Sequence, residues 1–259
     1  MNHVAKTILP AAPTIPAHNQ YPVVAREKSE SLFERWAAIY IFCREKVFRD
    51  DTSRIIGALW RDAQPPANSK VLELGCGPGF YACRLAQHFP QVSVLGVDSA
   101  NQLVRYAREK ARKNALRNCS FERGNVLDLA QADESFDVLI ASRLFTILPG
   151  RERAVAEIFR VLKSGGKCFV AEPRFAFSAS IPLLMMRALA RVNGHVQEYR
   201  EPMTATTLSH NSFRALFATQ PWARIETWRV GRYQYAVCEK GVAPSTQSMR
   251  ECIASSIAS

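Results

Sequence analysis

Short apolar runs alternate with longer amphipathic stretches through the middle of the chain. The runs at 71–74, 92–98, 136–142 and 167–173 have the length and the apolar content of buried strands, and 119–123 is predicted as a further strand between them. Between them, the stretches 80–89, 101–114 and 149–163 place apolar side chains on one face of a helix. Strands that alternate with helices predict a parallel, doubly wound sheet of the α/β class.

Two further strands are predicted near the end of this pattern. Residues 208–219 have helical periodicity, and 223–230 and 233–239 have the composition of strands. Gly231-Arg232 between these two strands is typical of a hairpin turn, so we expect the last strand to run antiparallel. The prediction is a Rossmann-like, mostly parallel sheet of seven strands with helices on both faces.

Two amphipathic helices precede the first predicted strand. Apolar residues recur at helical spacing over 32–47 and again over 55–60. We predict that 26–66 forms a helical cap over one edge of the sheet. Trp36 and Tyr40 are candidates for lining a pocket beneath this cap, but an aromatic stripe at helical spacing favours plain core.

The remaining segments are assigned from their composition. Residues 1–25 are rich in proline and lack periodicity, and 241–259 is rich in serine and alanine, so both are predicted as disordered tails. The main domain is predicted to span 67–240. Within it, 174–204 shows little regular periodicity and is predicted as a lid insertion after the fifth strand.

Composition narrows the class of protein. A chain of 259 residues with 47% hydrophobic residues has enough material for one large domain with a full core. The net charge of +11 is compatible with a nucleic-acid or anionic-membrane partner, but the densest basic run, at 105–117, has the spacing of one solvated helix face. Seven scattered cysteines predict reduced thiols in a cytoplasmic protein and no metal site. No run reaches the ~18 apolar residues of a membrane span.

The stretch V-L-E-L-G-C-G-P-G at 71–79 joins a predicted buried strand to a helix. Gly75, Gly77 and Gly79 allow positive φ angles and a close approach of a ligand to the backbone. A helix N-terminus after such a turn attracts anionic groups, so the stretch predicts a nucleotide-type site. The dinucleotide fingerprint G-x-G-x-x-G is not met, because Phe80 stands where its last glycine belongs.

A carboxylate, Asp98, ends the second predicted strand. It follows the glycine turn by about 20 residues, the distance at which an acid on the second strand binds the ribose hydroxyls of a nucleotide. Asp98 is also a candidate N-cap for the helix that follows it, and the two roles are compatible.

Residues 71–79 resemble motif I of the class I S-adenosylmethionine-dependent methyltransferases, in which an acid precedes G-x-G-x-G. Leu-Lys-Ser-Gly-Gly at 162–166 is similar to the L-K-P-G-G of the same family, with Ser164 in place of proline. Over 71–173 the order and spacing of motifs are closest to the small-molecule methyltransferases that include the ubiquinone and menaquinone methylases. The resemblance concerns the cofactor fold, and it implies S-adenosylmethionine as the cofactor.

The resemblance also implies roles for individual residues. Glu73 would orient the glycine turn or bind the amino group of the cofactor. Asn125 stands where relatives usually carry an acid that accepts from the adenine amino group, and Val126 would face the adenine through its backbone N–H. The complete predicted cofactor-binding set is Glu73, Gly75, Cys76, Gly77, Gly79, Asp98, Ser99, Asn125, Val126 and Ser142.

The sequence says less about the methyl acceptor. The apolar side chains and arginines of the predicted lid favour a small, largely apolar acceptor (a quinone, a lipid-like or an aromatic molecule), and they make the lid a candidate for peripheral membrane contact. Arg143 is a candidate for binding an acidic group of the substrate, and His195 and His210 are candidate bases, although no general base is singled out.

Two alternatives remain. The basic charge suggests an RNA or protein methyltransferase, although no N-P-P-Y-type tetrapeptide follows the fourth strand, so a nucleic-acid partner is not favoured. The second alternative is a relative that binds the cofactor without catalysing transfer.

Overall fold

Seven strands form one sheet at the centre of the protein. They are β1 (Lys70–Leu74), β2 (Ser93–Asp98), β3 (Cys119–Arg123), β4 (Phe136–Ser142), β5 (Leu162–Pro173), β6 (Trp222–Val230) and β7 (Tyr233–Lys240), and they lie in the order β3-β2-β1-β4-β5-β7-β6. The computed structural model describes residues 31–195 and 199–242. The predicted tail at 1–25 and residues 243–259 of the predicted C-terminal tail lie outside these ranges.

Strand direction brings the predicted site residues to one edge of the sheet. The first five strands are parallel to one another, and β7 is antiparallel to both of its neighbours, β5 and β6. The carboxyl ends of β1, β2 and β4 therefore lie side by side. The direction of the strand order reverses between β1 and β4, which is where doubly wound sheets bind their ligands. The Rossmann-like, mostly parallel sheet of seven strands is confirmed.

Eight α-helices surround the sheet in the described part of the chain. They are α1 (Leu32–Arg35), α2 (Ala37–Phe42), α3 (Thr52–Leu59), α4 (Phe80–His88), α5 (Asn101–Lys113), α6 (Arg151–Val161), α7 (Ala176–Val192) and α8 (His210–Phe217). A π-helical turn, Cys43–Val47, continues α2.

Both faces of the sheet are covered, as the apolar composition of the central strands predicts. On β1, Val71 packs into a core with α3, α4 and α5, whereas Leu72 and Leu74 pack into a second core with α6 and α8. All three side chains are fully buried. The helices on both faces are thus confirmed.

A third apolar cluster joins the N-terminal helices to α7. It contains Leu32 from α1, the inner face of α7 (Leu183 and Met186 among others) and Tyr199 from the segment that follows. α3 does not belong to it, because Ile55, Ile56, Leu59 and Trp60 are part of the main core. Of the described helices in the predicted cap 26–66, α1 and α2 therefore form the layer that packs against α7.

The segment 174–204 is more regular than predicted. Most of it is α7, a helix of 17 residues with Pro182 inside it. Apolar side chains occur on both the buried and the exposed side of this helix, so the sequence lacks the one-sided periodicity by which a helix is recognised. That this segment serves as a lid stays a prediction.

Two predicted helix boundaries also differ from the structure. The first N-terminal helix is not continuous, because the backbone of Trp36 leaves helical geometry (φ −114°, ψ 32°) between α1 and α2. The helix predicted at 149–163 ends at Val161, and β5 begins at once at Leu162. Ser164-Gly165-Gly166 does not end the helix. These residues instead lie in β5, where its register with β4 shifts and Gly165 has a φ of 75°.

Replacement of Gly79 by alanine tests how tightly the glycine turn is packed. Its φ is +69°, and an added Cβ would lie 2.6 Å from Phe121 Cζ. The control, Gly231→Ala, has a similar φ of +58° but no heavy atom within 4 Å of the new Cβ. We expect Gly231→Ala to lower the free energy of unfolding by about 1 kcal/mol and Gly79→Ala by about 3 kcal/mol, measured in urea. Equal losses would contradict close packing at Gly79.

Candidate active site

The turn from β1 to α4 depends on its three glycines. Gly75, Gly77 and Gly79 have φ angles of 63°, 52° and 69°, a region that L side chains rarely adopt. Gly79 is the N-cap of α4 and has no side chain with which to bind the free N–H groups of the first helical turn. Another residue must therefore satisfy those groups.

Glu73, on β1, supplies that missing cap. Its Oε2 accepts a hydrogen bond of 2.8 Å from the backbone N–H of Ala82, the third residue of α4. The side chain is 4% exposed, and burial raises the pKa of Glu73 to about 8, although the bond from Ala82 opposes this rise. The predicted role of Glu73 in orienting the glycine turn is consistent with this contact.

Asp98, at the end of β2, holds the same turn from the other side. Its Oδ2 accepts from Gly77 N–H at 2.8 Å, and its Oδ1 accepts from Ala100 N–H at 2.9 Å. Burial raises the pKa of Asp98, and the backbone hydrogen bonds oppose the rise. A carboxylate has about four acceptor positions. Asp98 therefore braces the turn, binds the backbone just before α5, and still retains acceptor capacity.

A cavity of about 650 Å³ opens over the carboxyl ends of β1, β2 and β4. This volume lies in the usual range of small-molecule sites, roughly 300–1,000 Å³. The members of the predicted cofactor set that line it are Gly75, Asp98, Ser99, Asn125, Val126 and Ser142. Glu73, Cys76, Gly77 and Gly79 are not among its lining residues; Cys76 packs its side chain into the main core. Any contact of Cys76 with a ligand would therefore involve its backbone.

One wall of the cavity is apolar and comes partly from the N-terminal helices. Phe33, Tyr40, Leu144, Ile147 and Leu148 contribute to it. Tyr40, for which the sequence favoured plain core, lines the cavity and covers the glycine turn, since a Cβ on Gly77 would lie 3.0 Å from its ring. Burial raises the pKa of Tyr40 to about 12, so its phenol stays protonated at neutral pH.

Arg143 stands at the rim above β4. It lines the cavity, has a φ of 59°, stacks its guanidinium 3.8 Å from the ring centre of Phe48, and donates to the Tyr233 hydroxyl at 2.7 Å. Glu172, at the end of β5, binds the backbone of the two residues that follow Arg143. Its Oε1 accepts from Leu144 N–H at 2.7 Å and from Phe145 N–H at 2.9 Å. Burial raises the pKa of Glu172 to about 7.

The two candidate histidines lie away from the cavity. His195, after α7, accepts from Arg35 at 2.7 Å on the outside of the N-terminal helices. His210, the first residue of α8, approaches Thr227 of β6 at 3.4 Å. Neither is among the described residues that line the cavity. The structure therefore brings Arg143, but neither histidine, to the predicted site.

The sequence did not identify two contributors to the site. Arg200 and Glu201 follow α7 and line the cavity. Glu201 accepts from the Ser31 hydroxyl at 2.6 Å and from Leu32 N–H at 2.8 Å, which ties the segment after α7 to the start of α1. Since 169 positions separate Glu201 from Leu32, no local pattern indicates this contact.

Arg44 lies beside the start of α4, although it is not among the residues that line the cavity. Its side chain is 6% exposed, and its guanidinium stacks 3.7 Å from the ring centre of Phe80, the first residue of α4. Nη2 of Arg44 is buried and has no hydrogen-bond partner among the described residues. A buried cation with a free donor beside a helix N-terminus suits a ligand carboxylate. With Asp98 available for a ribose, these residues fit S-adenosylmethionine.

The family is decided by comparison with known proteins. The sequence model of a methyltransferase domain family matches residues 66–228 of this chain, from just before β1 into β6. The chain belongs to this family of S-adenosylmethionine-dependent methyltransferases. Its cofactor is S-adenosylmethionine, as the glycine turn and Asp98 indicate.

Individual relatives match mainly over the cofactor-binding part. The chain is 36% identical to trans-aconitate 2-methyltransferase of Deinococcus radiodurans over 46% of this chain and 44% of the relative. It is 34% identical to demethylmenaquinone methyltransferase of the same organism over 40% of this chain and 42% of the relative. It is 29% identical to phosphatidylethanolamine N-methyltransferase of Cereibacter sphaeroides, over 61% of this chain and 74% of the relative. The match thus spans less than half of the first two of these relatives.

A solved structure agrees with the fold. Phosphoethanolamine N-methyltransferase 2 of Haemonchus contortus, in complex with S-adenosyl-L-methionine, matches with a TM-score of 0.61 at 12% identity, over 79% of this chain and 57% of that one. At this identity the likeness concerns the fold alone.

The raised pKa values of Glu73 and Glu172 predict an unusual pH dependence of stability. Folding raises these values from 4.5 to about 8 and about 7, so the folded state holds protons that the unfolded chain releases. Stability should therefore be greatest near pH 5 and fall as the pH rises to about 8, by up to about 1.4 kcal/mol per pH unit for each group.

Glu73→Gln should remove part of this slope in urea unfolding measured between about pH 5 and pH 8. Glu109→Gln, at an exposed position on α5, is the control and should leave the slope unchanged. A slope that Glu73→Gln does not alter would show that Glu73 is ionised in the folded protein.

Proposed function

We propose that this protein transfers the methyl group of S-adenosylmethionine to a small, largely apolar acceptor. The observation that carries the proposal is the two-sided cavity at the carboxyl edge of the sheet. One side has Gly75 of the glycine turn and Asp98, and the other has the apolar wall of Tyr40, Leu144 and Ile147.

The polar side suits the donor. S-adenosylmethionine, when bound, supplies a methyl group already activated on a sulfonium. Asp98 would accept from the ribose hydroxyls with the acceptor positions that Gly77 and Ala100 leave free. Arg44 would pair with the carboxylate of the methionine part, and Asn125 and Val126 would contact the adenine. Oδ1 of Asn125 already accepts one hydrogen bond, from Leu127 N–H at 3.0 Å, and has room for a second.

The apolar side suits the acceptor. Alignment of donor and acceptor and exclusion of water are the main contributions that a protein makes to this displacement. Phe33, Tyr40 and Ile147 connect the cavity wall with the cluster under α7, so the wall is backed by packed side chains. Arg143 at the rim offers a cation for an acidic group of the acceptor.

The chemistry of the lining favours an acceptor that needs no strong protein base. Neither His195 nor His210 lines the cavity in the described part of the chain, and the pKa of Tyr40 keeps its phenol protonated. An activated carbon, an acidic hydroxyl or a thiol can accept a methyl group without such a base. The relatives named above act, by their names, on trans-aconitate, demethylmenaquinone and phosphatidylethanolamine. They support a small molecule as the acceptor class.

An RNA or protein acceptor is the second candidate, and one observation favours it. Lys110 on α5 pairs with Glu45, but Arg105, Arg112 and Lys113 are exposed with no recorded ion pair in the described ranges. Exposed cations on one helix face are also usual for a solvated helix, so the small-molecule acceptor is preferred.

Titration and methyl labelling test the proposal together. We expect calorimetry to detect binding of S-adenosylmethionine and no binding of NAD. With radiolabelled donor, label should enter the organic-solvent extract of cells rather than their RNA or protein. Label confined to RNA, together with salt-dependent binding of the protein to RNA, would favour the RNA acceptor instead. Binding of the donor without any transfer would indicate a non-catalytic relative.

Asp98→Asn tests the donor side of the cavity. The amide lacks the negative charge and one of the two acceptor oxygens, so affinity for S-adenosylmethionine should fall by about 1–3 kcal/mol, which is roughly 5- to 150-fold. Asp133→Asn is the control, since the Asp133 side chain is 74% exposed and pairs with Arg160 away from the cavity. An affinity that Asp98→Asn leaves unchanged would remove Asp98 from the donor site.

A further inference from the structure

The outer face of α7 carries an apolar stripe whose side chains are 38–83% exposed in the described structure. The stripe consists of Phe177, Ile181, Leu184, Met185, Leu189 and Val192. Phe177 is 77% exposed and Val192 is 83% exposed, at opposite ends of the helix. The spacing of these residues follows successive helical turns, so all six face the same way. A continuous exposed apolar surface of this kind usually marks a site of interaction.

The position of α7 relates this stripe to the cavity. The inner face of α7 packs in the cluster that also contains Phe33, Tyr40 and Ile147, and these three residues line the cavity. The hairpin between β6 and β7 lies beside the start of α7, because Arg174 N–H donates to the carbonyl of Arg232 at 2.9 Å. The stripe therefore lies on the outside of the layer that closes one wall of the cavity.

The charged residues of α7 and of its immediate flanks at 173–197 are all basic. From residue 173 to 197 the sequence contains three arginines and no aspartate or glutamate. Arg174 precedes the helix, Arg191 lies in its last turn, and Arg232 joins Arg174 from the hairpin. None of these three has a recorded ion pair with an acid among residues 31–195 and 199–242.

We propose that α7 docks on the surface of an anionic lipid bilayer, with its stripe in the headgroup region and its axis parallel to the membrane. A helix of 17 residues is about 25 Å long. It would thus place Arg174 and Arg232 at one end and Arg191 at the other, where each meets lipid phosphates. Apolar side chains on one face with cations beside them are what such interfacial helices require. No helix in the described ranges has the length and apolarity needed to cross a bilayer.

The bilayer is favoured over a protein partner by this arrangement. The stripe has no polar group at its centre, and Arg174, Arg191 and Arg232 pair with no acid of residues 31–195 and 199–242. Anionic headgroups over an apolar interior complement both features. The proposal goes beyond the proposed function, because docking requires neither the donor nor methyl transfer. If both hold, docking brings the cavity wall next to a source of apolar acceptors.

Vesicle co-sedimentation of the full chain tests the proposal. The probes are vesicles of phosphatidylcholine alone and of phosphatidylcholine mixed with phosphatidylglycerol, at low and high salt. We expect binding to the mixed vesicles, weakened by salt. The triple variant Phe177→Gln/Leu184→Gln/Met185→Gln should lower the partition coefficient at least about tenfold, because three apolar side chains no longer enter the interface. Arg191→Gln and Arg232→Gln should each lower it about fivefold on anionic vesicles only.

Two control variants distinguish binding through the stripe from nonspecific binding through other exposed apolar or basic side chains. Tyr106→Gln removes an exposed aromatic side chain on α5, and Arg105→Gln/Arg112→Gln/Lys113→Gln removes three exposed cations on the same helix. Both should bind vesicles nearly as the unmodified chain does. Circular dichroism and binding of S-adenosylmethionine should be the same for all variants.

Three outcomes would overturn the proposal. The first is vesicle binding that the triple variant leaves intact or that the α5 variants abolish. The second is a full chain that stays in the supernatant with every vesicle, as expected if its own terminal residues cover the stripe. The third is a full chain that does not bind vesicles but forms dimers that the triple variant dissociates, which would make a second copy the occupant of the stripe.

Discussion

Two buried carboxyl groups hold the glycine turn, and the rest of the site depends on them. Glu73 binds the N–H of Ala82 in the first turn of α4, and Asp98 binds the N–H of Gly77 inside the turn. They come from neighbouring strands, since Glu73 pairs in register with Gly96 of β2, two residues before Asp98. The turn is thereby fixed to both strands at the edge where the cavity opens.

Burying Glu73 and Asp98 beside the turn costs free energy, because burial disfavours an ionised carboxyl group. Burial raises the pKa of both carboxyl groups, which means that the folded state disfavours their charged forms. Arg44 adds a buried guanidinium nitrogen that has no hydrogen-bond partner in the described structure. Strained glycines, buried acids and a partly unsatisfied cation at one place are typical of a ligand site rather than of a scaffold.

Local pattern was enough to predict the sheet. Each central strand is a short apolar run that ends at a polar residue or a glycine, so Asp98, Ser142 and the glycine turn could be placed at one edge from the sequence. The same logic correctly gave the hairpin at Gly231-Arg232.

The rest of the site depends on contacts between distant parts of the chain. Tyr40 has the same helical spacing as core residues, and only packing shows that it faces the glycine turn. Glu201 is joined to Ser31 by a hydrogen bond across 170 positions. α7 was missed for a different reason: a helix with apolar side chains inside and outside has no one-sided periodicity. His195 and His210 were considered as bases because they are near the predicted lid in sequence, which does not determine where they lie in space.

The central claim is that the glycine turn, Asp98 and the loop at Asn125 form one binding surface for the donor. A crystal structure of the protein with S-adenosylhomocysteine, the product form of the donor, tests it most directly. The account predicts the ribose within hydrogen-bond distance of Asp98, the amino-acid part at the glycine turn near Arg44, and the adenine against Val126. A nucleoside bound elsewhere, or a crevice that stays filled by Tyr40 while the ligand is ordered at another place, would contradict it.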